Sequence, residues 1–123
     1  MIFDQPYSQV LAGIQTQLTQ PHNPLYQFDP VRRAIFGPDG SPMSFVGKLE
    51  AIRMVGEQHS HIAGQIRILN IRQMRLRDFT LADAKAEGCR DLNDFTAYWI
   101  LRHGRFQRDA LVLVYNFALV KAA

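Results

Sequence analysis

Ile62-Ala-Gly-Gln-Ile-Arg-Ile-Leu-Asn-Ile-Arg-Gln-Met-Arg-Leu-Arg77 is the stretch whose reading decides the fold. It is long for one strand, and its apolar residues do not keep one parity. Ile66 and Ile68 are even, Leu69 and Ile71 odd, Met74 and Leu76 even again. Side chains on a strand alternate faces with a period of two, so each parity switch implies a bulge or a bend. A strand that bends twice is what a small closed barrel needs at its corners.

Downstream of this stretch the period changes. Thr80-Leu-Ala-Asp83 opens a helix in a capping-box-like way, Ala82, Ala84 and Ala86 favour helix, and Gly88 ends it. Asp91 caps a second helix with Leu92, Phe95 and Trp99 on one face and Tyr98 beside them, closed by Gly104. Residues 110–120 are almost wholly apolar and read as a buried central strand.

Upstream, residues 48–55 read as a strand. Gly37-Pro-Asp-Gly-Ser-Pro42 is turn chemistry, so residues 31–36 and 43–46 suit a hairpin. Residues 20–30 hold three prolines and read as a long loop. In residues 14–19, Ile14, Thr16 and Leu18 point one way and Gln15, Gln17 and Thr19 the other, a strand pattern. Residues 1–4 read as a short strand and residues 6–12 as a short helix closed by Gly13. About six strands with three helices in two blocks predict an α+β barrel rather than alternating βαβ units.

The 123 residues suit a single domain, 1–123. With 47% apolar and 20% charged residues, wholesale disorder is excluded. No run approaches ~18 apolar residues, so no membrane helix is expected. Residues 1–15 lack the features of a secretory signal, which predicts a cytoplasmic chain. The net charge is +3, with eleven Arg and three Lys. Arg67, Arg72, Arg75 and Arg77 cluster, with no acid before Asp78. The cluster is either a solvated strand face or a groove that tracks phosphates. Arg53, Arg75 and Arg77 are candidate phosphate contacts on charge and strand position alone.

Candidate chemistry is sparse. His59 and His61 lack the further ligands a zinc site needs, and Cys89 has no His nearby in sequence to activate it. No phosphate-binding glycine loop, nucleophile elbow or zincin motif occurs, so no cofactor or metal is expected. Tyr98 and Trp99 suit either core packing or a base-stacking wall, and the loop aromatics Tyr26 and Phe28 suit stacking better. Glu87 stands in the last turn of its helix, where a carboxylate opposes the helix dipole at ~0.3–1 kcal/mol. It is either fully solvated there or points into a cleft to meet a ligand amine or an Arg.

Four segments together resemble the ASCH domain family of small PUA-like β-barrels. Leu11-Ala-Gly-Ile-Gln-Thr-Gln-Leu-Thr-Gln20 stands where the family carries Gly-x-Lys-x-x-x-x-Arg. Val46-Gly-Lys48 resembles the family's turn before a strand. Leu76-Arg-Asp-Phe-Thr-Leu-Ala-Asp-Ala-Lys-Ala-Glu-Gly88 is similar to its helix-opening motif ending in Glu-Gly. Phe95 to Gly104 is similar to its F-x-x-x-W-x-x-x-H-G pattern. The resemblance implies a PUA-like barrel. It also implies either RNA binding or, as in some small bacterial members, hydrolysis of the amide of an acetylated cytidine.

In those hydrolases the motif Lys acts with a Thr nucleophile and a helix Glu. Here the Lys position is Gln15, the Thr position Leu18 and the Arg position Gln20, and only Glu87 is retained. An amide has no accessible pKa near neutrality, so Gln15 is no general base, and Leu18 offers no nucleophile. Thr19 shares the face of Gln15 and is the remaining hydroxyl candidate. The expectation is a noncatalytic module for RNA or a nucleotide-like ligand, with Gln15, Thr16 and Gln20 lining a cleft and Glu87 reaching it from the helix. The alternative is a divergent amidohydrolase on an acetylated cytidine-like nucleoside, or a ribonuclease, using Glu87.

Overall fold

The computed structural model describes residues 13–55 and 60–122. The expected strand at 1–4, the helix at 6–12 and His59 lie outside the described residues, as do the side chains of Arg53 and His61. The elements are β1 (Gln17–Pro21), β2 (Gln27–Asp29), β3 (Ala34–Phe36), β4 (Pro42–Phe45), β5 (Leu49–Val55) and β6 (Ser60–Arg75). A 3-10 turn (Leu76–Asp78), α1 (Leu81–Ala86), α2 (Leu92–His103) and β7 (Leu111–Ala122) follow.

The strands form two antiparallel sheets, β1-β7-β6-β5 and β2-β3-β4. The expected closed barrel of six strands is therefore corrected to two separate sheets, while the third expected helix, at 6–12, lies outside the described residues. Seven strands and two α-helices stand among the described residues, and no strand ladder joins the two sheets. The β4–β5 turn reaches β6 through Gly47 N–H to Ile68 C=O (2.7 Å) and Ile68 N–H to Lys48 C=O (2.9 Å). The unexpected strand is β2, three residues inside the proline-rich loop. So short a segment carries no periodicity, and only its pairing with β3 makes it a strand. The β3–β4 hairpin forms as the turn chemistry predicts.

β6 carries one of its two expected irregularities. Ile68 pairs with Phe117 and Asn70 with Asn116, so Leu69 is the extra, exposed residue of a bulge. The second parity switch is not a bulge, because Asn70 to Arg75 pair with β7 in unbroken register. It marks a change of core instead. Ile71 belongs to a core between the sheets, with Leu18, Ile35, Ile52, Ile66, Ile68, Leu113, Tyr115 and Phe117. Met74 and Leu76 belong to a core under the helices, with Phe79, Phe95, Trp99, Val112 and Val114. β7 sends alternate residues to each core, which is why residues 111–115 are apolar without a break.

In the helical core Phe79 stacks on Phe95 with ring centroids 4.2 Å apart. Burying each such ring stabilises by roughly 1.5–3 kcal/mol. Leu92, expected on this face, is 41% exposed, and the helix buries Phe95 and Trp99 instead. No helix among the described residues is long and apolar enough to cross a membrane.

Candidate ligand site along β1

Among the described residues β1 is an edge strand, paired with β7 on one side only. Gln15, Gln17 and Thr19 share one face, as their alternation predicts, and all three are buried. They are buried because α1 and its C-terminal residue cover that face. Thr80 opens α1 with a reciprocal capping box. Its Oγ1 accepts from Asp83 N–H (3.1 Å) and its N–H donates to Asp83 Oδ2 (3.0 Å). Thr16 N–H donates to Ala86 C=O (2.9 Å), which fixes the other end of α1 against β1.

Glu87 follows α1 and is 1% exposed. Its Oε1 accepts from Thr19 N–H (2.6 Å), and its Oε2 accepts from Thr19 Oγ1 (3.0 Å) and Gln17 Nε2 (3.2 Å). The carboxylate thus occupies a backbone N–H on the outer side of an edge strand. Three donors offset the opposing helix dipole. Burial pushes the Glu87 carboxyl up to about 7 against the hydrogen bonds from Thr19 and Gln17, with Asp83 adding to the rise.

Behind Glu87 a polar network crosses three strands. Gln17 Oε1 accepts from Arg72 (3.1 Å) and Asn116 (3.0 Å), and Arg72 also donates to Asp83 Oδ1 (2.9 Å). Burial works against the Asp83 carboxylate, yet hydrogen bonds from Arg72 and Thr80 hold it below its ordinary value. Gln15 Nε2 donates to Gln17 C=O (3.0 Å), while Gln15 Oε1 is buried without a partner among the described residues.

In front of Thr19 lies a cavity of about 440 Å³. Leu18, Thr19, Gln20 and Pro21 form one wall, and Asn23 and Tyr26 come from the loop beyond. Leu113 and Tyr115 enter from β7, and Tyr98, Arg102 and His103 from the last turns of α2. A smaller cavity of about 210 Å³ shares Gln20, Tyr26 and Tyr115 with it and continues between the sheets. Three aromatic faces, a guanidinium and several hydrogen-bonding side chains suit a ligand with a flat ring and a negative group.

Of the residues expected at a cleft, Gln20 lines both cavities. Glu87 stands one residue behind the wall, and its partners are Thr19 and Gln17 rather than an Arg or an open cleft. Gln15 belongs to the network, and Thr16 is exposed outside both cavities. Arg75 donates to Asp109 C=O (2.6 Å) and Arg77 pairs with the Asp109 carboxylate, at the far end of β6. Tyr26 and Tyr98 pack against the cores and also line the larger cavity, whereas Phe28 and Trp99 pack in the cores without reaching it. Cys89 is buried in the helical core.

Sequence reasoning missed Arg102, His103 and Tyr115, and the Ser44 and Glu50 of the smaller cavity. Arg102 and His103 look like ordinary cations in a last helical turn. Glu50 did leave a signal, since it shares strand parity with the core residue Ile52.

No family model matches the sequence, and no curated protein matches it. Solved structures do. A protein of Enterococcus faecalis from family DUF984 superposes with a TM-score of 0.63 at 14% identity, covering 94% of this chain and 70% of its own. An ASCH domain from Lactobacillus crispatus superposes with a TM-score of 0.56 at 17% identity, with the same coverage. Likeness at these identities speaks to architecture, and the two sheets with their pair of helices are those of an ASCH-like fold.

Proposed function

We propose that this chain is a cytoplasmic, cofactor-free module that binds RNA or a nucleotide-like ligand without transforming it. The observation that carries the reading is the cavity along β1, where Tyr26, Tyr98 and Tyr115 stand with Arg102 and His103. Aromatic faces stack bases, and a guanidinium pairs with phosphate. The ASCH-like fold is compatible with that role. Gln20 reads a hydrogen-bonding edge at the wall. Gln15, Thr16 and Glu87 hold β1 in place behind it, and Arg53, Arg75 and Arg77 would meet phosphates of a longer strand.

The test is an anisotropy titration of labelled single-stranded RNA at two salt concentrations, with the RNA checked on a gel afterwards. Salt-sensitive binding of intact RNA, weakened about tenfold or more in Tyr98→Ala and Arg102→Ala, is the expected result. Undiminished binding by both folded variants would reject this cavity.

One observation favours a second reading. Thr19 lines the cavity with its hydroxyl 3.0 Å from Glu87, whose carboxyl is pushed up to about 7. That value suits a general base near neutrality. Turnover of acetylated cytidine, or cleavage of the RNA, that disappears in Glu87→Gln would establish an enzyme.

A further inference from the structure

The smaller cavity carries features that a plain gap between two sheets would not need. β4 turns Ser44 inward while Met43 and Phe45 stay exposed. Ser44 lines the cavity, and its Oγ is buried with no hydrogen-bond partner among the described residues. Buried polar atoms are nearly always paired, so an orphan hydroxyl at a cavity wall marks a place for a ligand atom. Glu50 lines the same cavity on the face of β5 that carries the fully buried Ile52, and its side chain is only 15% exposed. A carboxylate on a core-facing position loses hydration. Lys48 meets the Glu50 Oε1 at 3.0 Å. Burial, and then the charge of Glu50, pushes the Tyr115 phenol between the cavities up to about 12, so it stays a hydrogen-bond donor.

Resting on the nucleotide reading above, we propose that the two cavities are one site. The outer chamber, with Arg102 and His103, takes the phosphate, and the inner chamber, with Ser44 and Glu50, takes the amino-bearing edge of a single base. The Arg102 guanidinium at one end and the acceptors Ser44 and Glu50 at the other fix the ligand's direction. Guanine, cytosine and adenine each carry an exocyclic amine that donates to a carboxylate or a serine hydroxyl. Uracil presents carbonyl oxygens in that place, and the Glu50 carboxylate repels them. The two volumes together fall within the ~300–1,000 Å³ usual for small-molecule sites.

The experiment is calorimetric titration of the intact chain with the 5′-monophosphates of guanosine, cytidine, adenosine and uridine, alongside the RNA titration. The preferred amino-bearing nucleotide is expected to bind roughly tenfold or more tightly than the uridine one. Glu50→Gln should collapse that preference with uridine binding unreduced. Ser44→Ala removes a hydroxyl that has no partner among the described residues. It should therefore weaken binding of the preferred nucleotide while leaving the melting temperature unchanged or raised by a few degrees. If all four bind equally, or if Glu50→Gln and Ser44→Ala leave the preference intact, the inner-chamber assignment is overturned and the nucleotide reading stands. If RNA binds and no monophosphate does, the single-base site is likewise overturned and RNA binding stands. If neither RNA nor any monophosphate binds, both readings fall.

Discussion

Glu87 holds its proton in competition with three donors, and this gives the protein a pH dependence with a defined sign. Its carboxyl rises from an ordinary 4.5 to about 7 on folding. The folded state therefore binds the proton more tightly than the unfolded state. The stability this contributes is complete below about 4.5 and is lost as pH rises through about 7. The loss is at most on the order of 3 kcal/mol. Thermal melts should show wild type less stable at pH 8 than at pH 5.5, and Glu87→Gln should flatten that slope. An unaltered slope in the variant would remove Glu87 as its source. Asp83 acts in the opposite sense, because its lowered carboxyl favours folding above its ordinary range and loses that effect in acid. Sequence singled out Glu87 because it opposes a helix dipole. Its partners stayed hidden because Thr19 lies 68 positions away, and no local pattern encodes that meeting.

At the scale of elements, α1 has only six residues, far too few to be helical alone. The Thr80 capping box and the Arg72–Asp83 pair hold it in place. Thr80→Ala should lower stability by about 1 kcal/mol, read as a lower urea midpoint at unchanged m-value. Thr80→Ser should restore most of the loss, because a serine hydroxyl caps as well. The cap was legible in the sequence, since Thr80-Leu-Ala-Asp83 spells it out. The long strand was legible only in part. Its first parity switch became the Leu69 bulge, but the switch from Ile71 to Met74 came from a sheet covered on both faces. A bulge and a change of core leave the same mark on one strand. Only the second strand, β7, tells them apart.

For the whole molecule, charge outside the cavity decides how a longer nucleic acid would be held. Arg75 and Arg77 share Asp109 at the end of β6. The double variant Arg75→Glu and Arg77→Glu should weaken RNA binding and flatten its salt dependence. Two lost single-strand phosphate contacts would reduce the slope of log K on log salt by about 1.4. An unchanged slope would confine binding to the β1 cavity. The α+β class was readable from the change of period after residue 77. The division into two sheets was not, because β2 is too short to be periodic and the sheets meet where the β4–β5 turn reaches Ile68, beside the Leu69 bulge.

The pairing of β1 with β7 also sets a clock. Gln17 and Asn116 meet across 99 positions, and β6 reaches β7 over far shorter separations. Distant closures cost more chain entropy, and chains that rely on them fold more slowly. In refolding, Trp99 fluorescence should recover with the helical core before β1 docks. Ligand binding should return in a later, slower phase, because β1 is a wall of the cavity. Stopped-flow mixing with labelled RNA in the refolding buffer would separate the two phases, and simultaneous recovery would contradict that order.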